Sequence, residues 1–429
     1  MTSRGLRSAL FSSALLRTTT AAALAASLAG CAGVAGGNAR LDSVEASGDG
    51  TLRIGLILDS TGKQAFLNDS QRAAAELAVK NINAAGGHKG RPIELTVGTG
   101  DDAGAQARNL AAAKADAVVG PTDSSHAAAA IDVLSGARIP LISPANSAAA
   151  LSSYQSGGYY FRTAAADIAQ ASVLVKLARD GGARRISVVH QDNAYGRDVS
   201  AAVAGSATAA GLETASTSSF TPGAAQQAAA AARAATPDAV ILIARDDAQG
   251  ALAELNNAGL SGKKLILSDG AFGQYGAGLG SKALDGSRAV VPGVFASADF
   301  QASLLAVNPD LKDLSFAAEA YDAVNLAALA AAAADDDAGR SIAANLIGVS
   351  GGTAPGGHGT GRPGTPCLSY AGCLTALKSG AAVNYDGESG PIAFDSHGDI
   401  TSANFMVFTY GADNRAVLSG REAAGRAAG

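Results

Sequence analysis

The sequence predicts an α/β protein built as two doubly wound parallel-sheet lobes with a ligand cleft between them. Three observations carry this. From Leu52 onward, short runs of Val, Ile and Leu alternate with longer amphipathic stretches, the pattern of strands covered by helices on both faces. Eight such runs are too many for one comfortable open sheet, so two lobes are expected. The chain is 48% hydrophobic and 16% charged, with 53 Gly and no Trp. That composition excludes disorder and suits helices lying close on sheets.

The expected strands are, in order, LRIGLIL, IELTVG, DAVVG, IPLIS, RISVVH, DAVILIA, KLILSD and AVVPGVF. Between and after them, SQRAAAELAVKNINAAG, DIAQASVLVKLARDGG, AQGALAELNNAG and AAEAYDAVNLAALAAAAA read as helices. The change of lobe is placed after YYFRT, near Thr163. The expected division is 51–163 with 296–388 for the first lobe, and 164–295 with 389–429 for the second. GPIAFDSHGDITSANFMVFTY reads as a β-hairpin turning at Ser396 to Asp399 around Gly398. The glycine-rich stretch from Gly348 is a loop. The aspartates at 335–337 are expected to end a helix in solvent, and His88 to sit in a hairpin turn.

The first thirty residues carry Arg4, Arg7 and Arg17 ahead of the apolar run TAAALAASLAG, the layout of an export signal rather than a membrane span. Leu28-Ala29-Gly30-Cys31 resembles the lipobox of bacterial lipoproteins, which implies cleavage before Cys31 and acylation of its thiol. Residues 31–50 are expected to be a flexible tether.

Without residues 1–30, 29 basic side chains face 37 acidic ones, a net of −8. A chain so charged lacks the basic stripe of a nucleic-acid binder. Cys367 and Cys373 are left as a pair in an exported protein, where a disulfide is expected. Two cysteines without a neighbouring His make a poor zinc shell, so no metal is expected. No P-loop, H-E-x-x-H or paired CxxC appears, and no cofactor is expected.

Ligands of open parallel sheets bind beyond the carboxyl ends of strands, so strand-to-helix junctions hold the candidate site. AVVGPTDSSHAAAAID breaks a strand at Gly120-Pro121 and follows it with short hydroxyls, Ser124 among them. RIPLISPANSAAAL repeats the device with Asn146 and Ser147. Hydroxyls and free N–H groups at helix starts cap the helix or hold an anion such as a carboxylate. In the second half, LILSDGAF puts Asp269 at a strand end, HQDNAYGRD puts Tyr195 at another, and LIARDDAQG puts Asp246 and Asp247 at a third.

From Leu52 to about Asn414 the chain resembles the leucine/isoleucine/valine-binding protein family, the type I solute-binding proteins of ABC importers. The matching stretches are NINAAGGHKGRPIEL, VVGPTDSS, IPLISPANS, YYFRT, DNAYGRD, AYDAVNLAA and CLSYAGC with YDGESGPIAFDSHGD. The resemblance implies two lobes joined by three crossovers. It implies that Ser124 meets a ligand carboxylate, that Ala145 offers backbone groups and Ser147 its hydroxyl, that Tyr195 packs over the ligand, and that Asp269 pairs with its ammonium. Phe66 or Leu67 falls where an aromatic wall is common. Two departures bear on the side-chain pocket: Ala244 to Asp247 lacks an aromatic, and Asp269 is shorter than Glu.

The expected function is therefore an exported lipoprotein, anchored to the outer face of the cell membrane and monomeric. It captures a small amino acid, branched-chain or aliphatic, by closure of its lobes and delivers it to a permease and ATPase made of other chains. Alternatives are a sensor of the same fold and a receptor for amides, urea or aromatic acids. A hydrolase using Ser124, His126 and Asp132 is disfavoured, because Ser124 lacks the G-x-S-x-G elbow and His126 diverges from it on a helix.

Overall fold

The computed structural model describes residues 40–62, 65–353 and 364–425. The expected signal peptide (residues 1–30), Cys31 and His358 lie outside them.

The first sheet comprises β1 (Arg53–Leu56), β2 (Glu94–Val97), β3 (Ala117–Val119), β4 (Leu141–Ser143) and β5 (Tyr160–Arg162), all parallel, in the order β2-β1-β3-β4-β5. Ile54, Leu56, Val119 and Phe161 pack toward helices α1 (Asn68–Ala84) and α9 (Ala317–Ala334). Val118, Leu141 and Tyr160, on the opposite face, meet α2 (Ala103–Ala112) and α3 (Ser124–Gly136). Each strand is apolar on both sides because helices cover both. Gly120 shows why a glycine ends β3: its φ is +109°, and a Cβ there would lie 2.2 Å from Ile57 O.

The second sheet holds β6 (Arg185–Gln191), β7 (Glu213–Phe220), β8 (Ala239–Ile243), β9 (Leu265–Leu267), β10 (Arg288–Pro292), β13 (Ser402–Tyr410) and β14 (Ala416–Gly425). Their order is β14-β13-β10-β9-β8-β6-β7. Helices α4 (Gln170–Asp180) and α5 (Ala194–Ala209) cover one face, and α6 (Gln226–Ala234) with α7 (Ala248–Asn257) the other. The chain returns to the first lobe after β10, through α8 (Ala298–Val307), α9, α10 (Gly339–Val349) and α11 (Tyr370–Lys378). Three segments thus cross between lobes: after β5, after β10 and before β13. Ile392 and Phe394 still belong to the first core, so the last crossing lies beyond the expected break at 388.

Four other expectations are corrected. The hairpin is β13–β14, turning at Gly411 to Arg415, whereas Ser396 to Asp399 closes only a single bridge, Phe394 to Ile400. β7, rich in Ser and Thr, goes unrecognised in the sequence because it is a half-exposed edge strand. Asp336 and Asp337 are buried, not solvated: their carboxylates accept from Gly48 N and Gly50 N, each at 3.0 Å. Residues 40–50 are therefore docked rather than a free tether. Arg40 shows this most clearly, donating to the carbonyls of Gly158 (3.1 Å), Tyr160 (2.6 Å), Ser396 (3.1 Å) and His397, with its guanidinium 4.5 Å from the Phe161 ring centroid. Cys367 and Cys373 form a disulfide between β11 (Thr365–Cys367) and α11.

At the first crossover Arg162 is wholly buried and pairs with Asp399 of the third, Nε to Oδ1 at 2.7 Å. Its remaining donors take the carbonyls of Asn146 (3.3 Å) and Ala148 (2.9 Å) and the Ser152 hydroxyl (2.6 Å). Removing one partner leaves the other charged and dry. Asp399→Asn or Arg162→Met should therefore cost about 3–5 kcal/mol in urea unfolding; a loss within experimental error would show that the pair holds nothing.

Candidate functional site

The two junctions of the first lobe are clasped into one wall. Ser143 Oγ donates to Pro121 O at 2.9 Å, and Asn146 Nδ2 donates to Pro121 O at 3.1 Å and Thr122 O at 2.9 Å. Ser124 Oγ, at the start of α3, accepts from Ser147 N at 3.1 Å and Ala148 N at 3.3 Å. This wall faces a cavity of about 480 Å3, within the range of small-molecule sites. Among its lining residues are Ser124, Ala145 and Ser147 from the first lobe, Arg245, Asp246 and Asp269 from the second, and Thr163 to Asp167 from the first crossover.

Asp269 stands beyond β9, as its strand-end position in the sequence suggests. Gln170 Nε2 donates to its Oδ1 at 2.7 Å, Asp269 N donates back to Gln170 Oε1 at 3.1 Å, and the Tyr195 hydroxyl donates to the same carboxylate. Arg245 Nη2 donates to Asp167 Oδ1 at 2.9 Å and lies 4.0 Å from Asp269 Oδ2. Burial pushes the Asp167 carboxyl upward, against the pull of Arg245 and the Ser147 hydroxyl.

Three candidates fall elsewhere. Tyr195 does not line the cavity. The Arg245 guanidinium lies 4.1 Å from its ring centroid and covers it, and burial beside Asp269 drives its phenol well up. Asn146 is buried with its amide engaged by the two carbonyls and the Tyr160 hydroxyl, so it braces the wall from behind. Phe66 is 62% exposed on the 3-10 turn Ala65–Leu67, because Leu67 takes the buried position. Asp246 does line the cavity, accepting from Gln191 Nε2 at 2.8 Å, while Asp247 caps α7 through Gly250 N at 3.2 Å. His126 turns its Nδ1 to Asp59 Oδ1 at 2.9 Å.

Sequence reasoning missed Asp167, Gln170, Arg245 and Glu319. For Arg245 the signal was present, as the aromatic missing between Ala244 and Asp247. Glu319, in the first turn of α9, faces the cavity near the second crossover; a Cβ on Gly293 would lie 3.5 Å from its Oε1. Burial, with Asp322 one turn on, pushes its carboxyl up to about 7.

A sequence profile for the periplasmic binding proteins matches residues 51–366. The chain belongs to the periplasmic binding protein family. The Leu/Ile/Val-binding protein homolog 3 of Brucella melitensis is 30% identical over 179 residues, 40% of this chain and 48% of that protein. The Leu/Ile/Val-binding protein BraC3 of Rhizobium johnstonii matches to the same extent. The chain thus spans about half the length of the curated relatives it matches. Among solved structures, a putative branched-chain amino acid ABC transporter protein from Rhodospirillum rubrum is similar with a TM-score of 0.64 and 20% identity, covering 86% of this chain and 100% of its own. LivJ from Streptococcus pneumoniae, in complex with isoleucine, gives 0.59 and 22%, covering 88% and 100%. A Rhodopseudomonas palustris solute-binding protein in complex with benzoate gives 0.57 and 21%, covering 88% and 98%. The fold of this family member is that of a type I periplasmic binding protein.

Glu319 makes stability depend on pH. Because its folded pKa is raised, its stabilising contribution is present below the unfolded value and is lost as pH rises toward about 7. Ligand-free Glu319→Gln should match the parent near pH ~4 and exceed it by up to about 3 kcal/mol near pH ~8 in urea denaturation. Parallel curves at both pH values would refute the assignment.

Proposed function

We propose that this protein is the extracytoplasmic receptor of an ABC importer. It captures a small amino acid between its lobes and passes it to a membrane permease and its ATPase. The observation that carries this reading is the polarity of the cleft. Ser124, Ala145 and Ser147 stand on the first-lobe side, and Asp269 with Asp167 on the other, around one cavity. A zwitterion meets both: its carboxylate accepts from the hydroxyls and N–H groups at the start of α3, and its ammonium meets Asp269. The names of the Brucella and Rhizobium relatives, and the isoleucine held by the Streptococcus structure, point the same way.

Lobe closure supplies the mechanism. The ligand docks on the first lobe, and contacts to Asp269 that exist only in the closed form shift the equilibrium toward it. The lipobox at Cys31 would hold the receptor at the outer face of the cell membrane, and among the described residues no helix is long and apolar enough to cross one. An aromatic acid, as in the benzoate-bound relative, is a weaker fit because it brings no cation to Asp269 and Asp167. Hydrolysis has little support: the Ser124 hydroxyl accepts from two backbone N–H groups, and the His126 ring is turned to Asp59. The family is one of substrate binders rather than enzymes.

A thermal-shift screen of the purified protein against the twenty amino acids, small amides and benzoate tests this reading. At least one amino acid should raise the melting temperature. Ser124→Ala and Asp269→Asn should each weaken its binding by about tenfold or more, the loss of one charge-assisted hydrogen bond. Stabilisation by benzoate alone, or unchanged affinity in both variants, would overturn it.

A further inference from the structure

The cleft holds more acid than a simple zwitterion needs. Asp123, Asp167, Asp246, Asp269 and Glu319 line it against a single guanidinium among the described lining residues, that of Arg245. Four of the five carboxylates have partners. Asp123 accepts from Ser125, Asp246 from Gln191, and Asp167 and Asp269 share Arg245. Glu319 is different. Its backbone carbonyl accepts from Thr163 Oγ1 at 2.9 Å, which fixes this turn of α9 at the first crossover, but among the described residues no other side chain pairs with its carboxyl.

The charged groups around it are Asp322 along α9 and, across the cleft, Arg245 with its two aspartates; Glu388, ahead of the third crossover, gives its backbone N–H to Asp322 and turns its carboxylate to Ser297. None supplies a cation to it, since Arg245 is engaged with Asp167. The same cavity is lined by the apolar Phe316, Ile400 and Phe405 beside the polar Ser389, Ser402 and Asn404. An aliphatic side chain placed there would dehydrate Glu319 further and give it nothing. A methylene stem ending in a cation would match both these apolar side chains and the carboxyl.

Resting on the amino-acid receptor reading, we propose that Glu319 is a specificity-determining residue that receives the cationic end of the ligand's side chain. Basic amino acids such as lysine and ornithine are then the substrate class, rather than branched-chain ones.

The two classes have opposite proton linkage. A cation bound at Glu319 favours its ionised form, so binding releases a proton and tightens as pH rises through about 7. An aliphatic guest favours the neutral form of Glu319, so at this residue binding takes up a proton and the lysine-to-leucine affinity ratio rises over the same range.

Isothermal titration of the purified protein with L-lysine, L-ornithine and L-leucine, at pH ~6 and ~8, tests the assignment. Lysine or ornithine should bind about tenfold or more tighter than leucine at the higher pH, and tighter there than at the lower. In Glu319→Gln the lysine-to-leucine affinity ratio should fall about tenfold or more and should no longer change with pH, since any contribution of Asp167 is common to both ligands. A thermal transition of the ligand-free variant no lower than the parent's shows that it is folded. Leucine binding without lysine binding would overturn this inference and leave the receptor reading standing. So would a lysine affinity that Glu319→Gln does not change. Binding of none of the three would overturn the inference, and failure of all twenty amino acids would remove the receptor reading with it.

Discussion

The buried pair of Arg162 and Asp399 is the constraint on which the cleft depends. A guanidinium with no exposed surface must satisfy its donors inside the protein. It does so on Asp399, on the Ser152 hydroxyl and on the carbonyls of Asn146 and Ala148. Those two carbonyls flank Ser147. The residue that closes the first crossover therefore also sets the backbone of the donor wall, and it ties both to the third crossover through Asp399. Arg40 extends the same knot, taking carbonyls of Gly158 and Tyr160 on one side and Ser396 and His397 on the other. The first-lobe wall is thereby fixed before any ligand arrives, which keeps the ordering cost of binding small.

The opposite wall is built by a different device. Where an aromatic ring would be expected to cover the ligand, Arg245 lies over the Tyr195 ring and holds Asp167. Stacking withdraws Tyr195 from the cavity and turns its hydroxyl to Asp269, which Gln170 grips from the other side. The surface that Arg245, Asp167 and Asp269 present to the cavity is charged rather than aromatic. A pocket of this kind discriminates by partners left unpaired more than by shape.

The sequence disclosed the parts of this arrangement that local rules govern. Val- and Ile-rich runs mark strands buried on both faces, and GPTDSS and SPANS mark strand ends, because glycine, proline and capping hydroxyls are local requirements. That reasoning alone picks out Ser124, Ser147 and Asp269, which line one cavity. What stayed hidden depends on contacts distant in the chain. Arg40 reads as linker until the carbonyls it binds, some 118 to 357 positions away, are in place. β14 has little intrinsic strand character in SGREAAG and forms because β13 offers an open edge. Asn146 looks like a ligand donor in sequence and proves a brace, since its position behind the wall follows from Tyr160 on the next strand. Glu319 is one acid in an alanine-rich helix, and nothing in its neighbours says which way α9 turns that residue.

The crossovers themselves explain why α9 turns as it does. Asp322, one turn beyond Glu319, is fully buried and accepts from the Tyr385 hydroxyl at 2.7 Å, Glu388 N at 3.1 Å, and Ser389 through its N at 2.8 Å and its hydroxyl at 2.5 Å. Burial still pushes its carboxyl up to about 6 against those four donors. The segment leading into the third crossover is thus wrapped around an acid of α9, and the crossover itself around Arg162 and Arg40. With Asp322 turned to that segment and Thr163 bonded to the Glu319 carbonyl, the α-helical step of about 100° per residue leaves the Glu319 side chain facing the cavity. The same helix turn that anchors the crossover therefore presents the cleft with its unpaired acid, and the nearby Asp322 charge raises that acid's affinity for a proton or for a cation.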